Sequence, residues 1–188
     1  MRIFKSAFFM LAIVLLLTGC INIPIGDGNK MKISKDGITF TDEEGGQHSI
    51  TIDEEEGQVS MKGFGMDGED EEISVGQNLD IPNSFPTDIP IPDDANIVQA
   101  SSIQSVTTIS FTTIIDIEQI VDLYESYLNS GILVAEPNVM DFQGEGSINK
   151  MYSGERKDGQ LSIVIDGSIE REYDTKVQIS FSEEQLDE

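Results

Sequence analysis

The stretch that decides the fold is Ile117-Glu118-Gln119-Ile120-Val121-Asp122-Leu123-Tyr124-Glu125-Ser126-Tyr127-Leu128. Its apolar residues recur three and four positions apart, which is the spacing that gives a helix one apolar side. Asp116 can cap the start of this helix with Gln119 at the third helical position, and Gly131 supplies the left-handed residue that ends many helices. We therefore predict one amphipathic helix, with Tyr124 and Tyr127 as core residues whose hydroxyls are exposed.

Alternating apolar residues on both sides of this helix predict β-strands. The predicted strands cover residues 95–100, 103–113, 132–136, 148–156, 161–166 and 175–181. In the second of them Thr107, Ile109, Phe111 and Thr113 share one face. Lys157-Asp158-Gly159 has the composition of a hairpin turn. One helix against an antiparallel sheet buries a single core, so residues 93–188 are predicted to form a domain of the α+β class.

Residues 30–80 predict a different kind of structure, an acidic segment of short β-hairpins. Two apolar residues repeatedly flank one polar residue, and turn signals such as Asp36-Gly37, Gly45-Gly46 and Glu56-Gly57 separate these groups. The groups are Met31-Lys32-Ile33, Ile38-Thr39-Phe40, Ile50-Thr51-Ile52, Val59-Ser60-Met61 and Ile73-Ser74-Val75. A small strand array with few large apolar residues is marginally stable by itself, so a partly ordered acidic stalk is an open alternative for this segment.

Residues 81–92 contain four prolines and separate the two parts of the chain. Proline removes a backbone donor and restricts the preceding residue, so this stretch is predicted to be an extended linker. We expect Phe85, Ile89 and Ile91 to dock on the domain that follows.

The N-terminus has the pattern of a secretory signal that ends at a lipid-modified cysteine. Arg2 and Lys5 precede an apolar run of 11 residues, which is shorter than a membrane-spanning helix. Leu17-Thr18-Gly19-Cys20 follows and reads as a lipobox. We predict a signal peptide at residues 1–19, diacylglyceryl attachment at Cys20, and a flexible lipidated tether over residues 20–29.

The composition restricts the partners that this chain can have. There are 35 Asp and Glu against 11 Lys and Arg, and removal of residues 1–19 would leave a formal charge near −26. Nucleic acid is excluded because its phosphates must be neutralised by clustered cations. The same charge opposes flat binding to an anionic bilayer, so the acyl chains at Cys20, such as palmitate, would provide the attachment.

Part of the chain resembles a group of uncharacterised lipoproteins of Gram-positive bacteria. The resemblance lies in Phe85-Pro86-Thr87-Asp88-Ile89-Pro90-Ile91-Pro92, in Ala95-Asn96-Ile97-Val98, and in the helix phrase from Ile120 to Gly131. It covers about the C-terminal hundred residues. Members often have Trp after the glycine that ends the helix, where this chain has Ile132, so no role for that aromatic is carried over. The resemblance implies the compartment and the fold, and it implies no catalytic residues.

The candidate chemistry is limited to carboxylates. Asp67, Glu69, Asp70 and Glu71 form an acidic turn that could bind Ca²⁺ weakly, although the spacing fails as an EF-hand because position six is Glu72 where Gly is required. His48 is the single histidine, and we expect it to be a solvated edge residue. No cysteine follows Cys20, and no base accompanies a Ser or Thr nucleophile in a recognisable motif. We predict no cofactor.

These observations predict a membrane-anchored lipoprotein on the extracytoplasmic face of the cell membrane. We expect a non-catalytic module that binds an envelope protein or polymer. One alternative is a cation-associated structural spacer, and another is a glycan-active enzyme that uses two carboxylates. The oligomeric state is left open.

Overall fold

The computed structural model describes residues 21–26, 28–63, 71–144, 146–169 and 174–184. These residues form one antiparallel sheet of twelve strands with one α-helix. The strands are β1 (Ile21–Gly26), β2 (Asn29–Ser34), β3 (Gly37–Thr41), β4 (Gln47–Asp53), β5 (Gln58–Lys62), β6 (Glu72–Val75), β7 (Asn96–Ile103), β8 (Val106–Thr113), β9 (Asn138–Gly144), β10 (Ser147–Arg156), β11 (Gly159–Ser168) and β12 (Thr175–Glu183). The helix α1 (Ile117–Tyr127) continues into a π-helical turn, Leu128–Ile132.

The predicted α+β class is wrong. Strands make up 56% of the structure and helix 11%, so the fold is largely β. The predicted helix on its antiparallel sheet and the preceding hairpin segment are both present, but they share one sheet because β6 pairs with β7. A five-stranded hairpin array has few means of burying apolar surface alone, and pairing to a larger sheet supplies a neighbour for its last strand.

The strand order is β1-β2-β3-β4-β5-β6-β7-β8-β12-β11-β10-β9. The first eight strands form a meander. After β8 the chain passes through α1 to the far edge of the sheet and returns as β9 to β12, so that β12 pairs with β8. The path places α1 across one face of the C-terminal six strands, where it contacts β11.

The hydrophobic core lies between α1, the proline-rich residues 81–92 and this face of the sheet. Ile109, Ile163, Ile165, Ile179 and Tyr124 are completely buried there. Phe85 and Ile89 are buried in the same core and Ile91 packs against it, which confirms that the proline-rich stretch docks on the structure that follows. The predicted face of β8 is also confirmed, since all four of its residues named above are buried.

The helix prediction is confirmed with two corrections at its side chains. Asp116 stands at the N-cap and its carbonyl accepts the Ile120 N–H at 3.0 Å, but no side-chain capping hydrogen bond forms. Gly131 has the expected left-handed conformation, with φ 87°. The hydroxyl of Tyr124 is buried and donates to the Pro90 carbonyl oxygen at 2.9 Å, so the expectation that it is exposed is wrong.

Strand predictions are correct where apolar residues alternate and wrong at the edges. All five hairpin-segment groups lie in strands, β2 to β6. Residues 21–26, placed in the tether, form edge strand β1, and residues 138–144, where no strand was predicted, form edge strand β9. The predicted strand at 132–136 makes only an isolated bridge, between Leu133 and Arg156, in the described part of the chain. No helix in these ranges is both long and apolar enough to span a membrane.

Candidate functional site

Most of the predicted site residues lie outside the part of the chain that the structure describes. This holds for Cys20 and for the calcium candidates Asp67, Glu69 and Asp70. Glu71 is described: it is half-buried directly before β6, and its carbonyl oxygen accepts the Gly63 N–H at 2.9 Å. Among the described residues, no three His, Cys, Asp or Glu side chains are grouped to hold a metal ion. Calcium binding at the acidic turn stays a prediction.

The N-terminal six strands place their apolar side chains on one face of the sheet. Residues that are directly paired in antiparallel strands share a face, so the register identifies the members. One row across all six strands is Ile21, Ile33, Ile38, Ile50, Met61 and Ile73. Parallel rows are Ile23, Met31, Phe40 and His48, and Ile52, Val59 and Val75. We call these residues the apolar face.

The apolar face lies on the opposite side of the sheet from the hydrophobic core. Ile73 pairs with Ser101, and that row continues as Thr108, Ser180 and Ser162 in the C-terminal half. On the other side, Ser60 and Ser74 lead into the row Ala100, Ile109, Ile179, Ile163 and Tyr152. The apolar residues therefore lie mostly on one side of the sheet in β1 to β6 and mostly on the opposite side in β7 to β12. The change occurs between β6 and β7. Since α1 covers only the core side, the described residues include no layer over the apolar face.

Side-chain exposure follows from this change of side. Ile52 and Val75 on the apolar face are 47% and 53% exposed, whereas Ile109 and Ile163 on the core side are 0% exposed. The polar side of the same N-terminal strands carries Lys32, Thr39, Ser49, Lys62 and Glu72 in one row. Isolated exposed apolar residues are normal on proteins, but a contiguous apolar patch across several strands marks an interaction surface.

Acidic turns border the apolar face at both ends of its strands. Asp42 accepts the backbone N–H groups of Gly46 at 2.7 Å and Glu44 at 3.0 Å, and the bond from Gly46 is the main reason why its pKa is lowered. Asp53 closes the next turn in the same way through the N–H groups of Glu55 and Glu56, each at 3.0 Å. The Asp side chains thus build the turns.

The remaining acidic side chains of these two turns are exposed. They are Glu43 and Glu44 in the β3–β4 turn and Glu54, Glu55 and Glu56 in the β4–β5 turn. Their charges are therefore available to a molecule on the apolar face. A hollow of about 660 Å³ lies where the second turn meets Val75 and Val98.

His48 is part of the apolar face, so the expectation of a solvated edge residue is wrong. It lies in β4 opposite Phe40, with ring centroids 5.9 Å apart, and its side chain is 24% exposed. Its Nε2 is 3.6 Å from Oδ2 of Asp42. The alternation of residues 48, 50 and 52 was the sequence signal for this position, but the flanking Gln47 suggested a turn.

Among the described residues, Arg156 forms the polar cluster with the most side-chain hydrogen bonds, on the core side of the sheet. The side chain is 5% exposed, and all five guanidinium N–H groups donate hydrogen bonds. Nε and Nη2 donate to Asp158 at 2.8 and 2.9 Å, while Nη1 and Nη2 donate to Asp88 at 3.0 and 3.1 Å. Nη1 also donates to the Tyr127 hydroxyl, which donates to Asp88 at 2.9 Å.

The charges in this cluster are fixed by its contacts. Burial alone would raise the pKa of Asp88, but hydrogen bonds from Arg156 and Tyr127 outweigh burial and lower it. The hydrogen bond from Arg156 likewise lowers the pKa of Asp158. Burial and the bond to Asp88 raise the pKa of Tyr127. The two carboxylates that converge here are thus held ionised, whereas a general acid for glycoside hydrolysis needs a raised pKa.

A second polar cluster joins α1 to β10. Glu125 accepts hydrogen bonds from the Tyr152 hydroxyl at 2.8 Å and from Lys150 Nζ at 3.0 Å, and these bonds lower its pKa. The sequence held a signal for both clusters, because Lys150 and Arg156 are in phase with buried Ile148 and Tyr152 on β10. A cation at an inward strand position needs a partner from the covering layer. Both clusters attach that layer to the sheet.

A polar groove separates the proline-rich residues from the N-terminal strands. Its volume is about 930 Å³, and Ser60, Ser74, Asp80, Asn83 and Ser102 are among its lining residues. The Ser60 and Ser74 hydroxyls are 2.9 Å apart and hydrogen-bond to each other. Ile81 also lines the groove and is 41% exposed, but most of the lining is polar. The opposite side carries an apolar row across six strands, so the apolar face is the stronger candidate for binding. No protein-family model, curated protein or solved structure matches this chain.

Proposed function

We propose that this chain is a lipoprotein that is anchored by a diacylglyceryl group at Cys20 on the extracytoplasmic face of the cell membrane, where it acts as a non-catalytic binding module. The apolar face carries the binding part of this proposal. Six strands align apolar side chains on this side of the sheet, with acidic turns at both ends. Six of these side chains are exposed and the others are half-buried; the exposed ones are Ile21, Ile23, Ile38, Ile52, Val59 and Val75. Such a surface is used in association with other molecules.

The position of the first strand supports the anchoring part. β1 begins at Ile21, one residue after Cys20, and it is the edge strand of the sheet. An anchor at Cys20 would hold the sheet close to the membrane by this edge. Adjacent strands are about 4.8 Å apart, so β7 would begin roughly 30 Å further along the sheet. The helix-covered half would then lie further from the lipid than the apolar face does.

The negative charge of the chain supports attachment to the membrane through acyl chains and not through contacts between the protein surface and lipid headgroups. The chain has a formal charge of −24, and anionic lipid headgroups would repel it. A diacylglyceryl group has two acyl chains, which together provide stable attachment where one chain gives only marginal binding.

The anchoring is tested by Cys20→Ala in cells that are labelled with radioactive palmitate. We expect the wild type to carry the label and to sediment with membranes, and the variant to lose the label and to be uncleaved or shed. Thr18→Ser is the matched control and should keep both properties. An unlabelled wild type, together with a variant that stays on the membrane with unchanged mobility, would contradict the lipid anchor.

The binding function is tested by chemical crosslinking on intact cells, followed by isolation of the full chain. We expect a reproducible envelope partner with the wild type, and none with an equal amount of the Cys20→Ala protein that has been shed. Absence of any reproducible crosslinked partner would count against a binding module.

A further inference from the structure

We propose that the apolar face of β1 to β6 is the docking surface for a cationic amphipathic segment of a partner protein. This inference deepens the proposed binding function and rests on it, because it names the surface and the chemistry of its occupant. Three observations carry it: the dimensions of the face, the position of the acidic turns, and the hollow that joins the two.

The dimensions of the face fit a single short segment. Six strands at a spacing of about 4.8 Å span roughly 24 Å, and five residues along a strand span roughly 17 Å. A helix that crosses the six strands would have about 16 residues at 1.5 Å per residue. In the other half of the sheet, the amphipathic helix α1 covers the apolar side with Ile117, Ile120 and Tyr124. Both halves of the sheet thus have an apolar side, and within the described residues only the side under α1 is covered.

The acidic turns select the charge of the occupant. In a meander, successive turns alternate between the two ends of the strands, so the β3–β4 turn borders one end of the face and the β4–β5 turn borders the other. A segment with an apolar centre and Lys or Arg along both flanks would place its cations next to both turns. Close opposite charges also guide association and fix its orientation.

The hollow at the β4–β5 turn combines apolar surface with acidic charge. Its lining includes Glu54, Glu55 and Glu56 on one side and the apolar side chains of Val75 and Val98 on the other. A long cationic side chain has an apolar stem and a charged end. It therefore matches a site where carboxylates lie beside the exposed Val75 and the half-buried Val98.

The same features argue against a second copy of this chain or a lipid bilayer as the occupant. Two apolar faces brought together would also bring together their acidic turns. Each face offers roughly 400 Å² from the strand dimensions above, about half of what one partner buries in a standard stable interface. An anionic bilayer would meet the same repulsion from the turns.

The test measures peptide binding to the full chain reconstituted in phosphatidylcholine vesicles. The probe is a fluorescent 16-residue helical peptide of Leu and Lys with one apolar side, and the signal from protein-free vesicles is subtracted. One control peptide has the same composition without an apolar side, and another has Glu in place of Lys. We expect binding of the first peptide, and at least tenfold weaker binding of either control.

Matched variants locate the binding to the apolar face. Ile52→Thr, Val59→Thr and Val75→Thr together should weaken binding about tenfold and leave the β-sheet circular dichroism unchanged, since threonine suits strands. The control triple is Ile114→Thr, Val134→Thr and Val139→Thr, which changes the same residue types at exposed positions elsewhere and should leave binding unchanged.

A second pair of variants tests the acidic turn. Glu54→Gln, Glu55→Gln and Glu56→Gln together should weaken binding severalfold and reduce its dependence on salt. Glu136→Gln, Glu183→Gln and Glu184→Gln, which remove equal charge from exposed positions far from the face, should have no effect.

Equal loss of binding in both apolar triples would overturn the proposal, as would equal binding of the Glu peptide. A fall in oligomeric state caused only by the face triple would identify a second copy as the occupant and would also overturn it. In vesicles without peptide, the thiol of the Val59→Cys variant should react with a bulky maleimide. If it is protected, the bilayer covers the apolar face, and the proposal is also overturned. Failure of peptide binding with an intact palmitate label would reject the docking surface and leave the anchor standing.

Discussion

Asp88 and Arg156 form a two-point ion pair, with Nη1 3.0 Å from Oδ2 and Nη2 3.1 Å from Oδ1. The two residues are 68 positions apart in the chain. Asp88 belongs to the proline-rich residues that cover the core, and Arg156 ends β10, so the pair joins the covering layer to the sheet. Parallel hydrogen bonds of this kind fix orientation as well as distance.

Arg156→Met should lower the free energy of unfolding by about 2–3 kcal/mol, because it removes a buried guanidinium that donates five hydrogen bonds. The loss is smaller than for a fully buried ion pair because the side chains of Asp88 and Asp158 are 46% and 55% exposed and can rehydrate. Asp88→Ala should cost less, about 1–2 kcal/mol, since Asp158 still holds the guanidinium. Urea unfolding of both single variants and the double variant gives the coupling energy, which we expect to be about 1 kcal/mol. Purely additive effects would show that the pair does not stabilise the fold.

The contribution of this cluster should disappear in acid. The pKa values of Asp88 and Asp158 are lowered from 3.8 in the folded protein, so the unfolded state binds more protons as the pH falls through this range. The stability difference between the wild type and Arg156→Met should therefore be complete above about pH 5 and should shrink below about pH 4. Urea unfolding at several pH values measures it, with Glu136→Gln as an exposed control. A constant difference down to pH 2 would contradict this account.

Substitutions on the two sides of the sheet should lower the free energy of unfolding by very different amounts. Ile163→Ala should destabilise the protein by about 2–5 kcal/mol, because it leaves a cavity in a fully packed core. Ile52→Ala on the apolar face should cost less than about 1 kcal/mol, since its side chain is 47% exposed and its neighbours can rehydrate. The same urea unfolding experiment compares them. Equal costs would indicate that something covers the apolar face in solution.

Two glycines with positive φ should respond differently to alanine. At Gly131, with φ 87°, an added Cβ meets no atom within 4 Å, so Gly131→Ala should cost about 1–2 kcal/mol from the backbone conformation alone. At Gly159, with φ 155°, the added Cβ would overlap the carbonyl oxygen of Ser182 on the neighbouring strand. Gly159→Ala should therefore be clearly the more destabilising of the two by thermal unfolding. The opposite order would mean that β11 and β12 lie further apart at Gly159 in solution.

Sequence patterns correctly predicted the helix and the strands whose apolar residues recur at a regular spacing. The spacing of Ile117, Ile120 and Tyr124 predicted α1, and alternation predicted β2 to β8 and β10 to β12. The edge strands β1 and β9 were missed because their sequences, with Pro24 in one and Asn138, Asp141 and Gln143 in the other, read as loops. Each is a strand because one neighbour supplies its hydrogen bonds, and a sequence pattern does not contain that neighbour.

The candidate binding surface was predictable only in part. Alternation placed Ile50 and Ile52, or Val59 and Met61, on one side of their strands, but it did not indicate whether that side would be covered. The polar clusters were missed for a related reason. Lys150 and Arg156 occupy inward positions on β10, and their partners come from α1 and from the proline-rich residues, far away in the chain.

The sequence by itself determined the strands with strong alternation, the helix, the strongly acidic surface and the pattern that predicts a lipid anchor. Tertiary structure alone decided that β6 pairs with β7, so that two predicted segments became one sheet, and that the apolar side changes across this pair. The physical reason is that side-chain alternation fixes the two sides of a strand only relative to each other. Cross-strand register and the path of α1 then determine which side is buried.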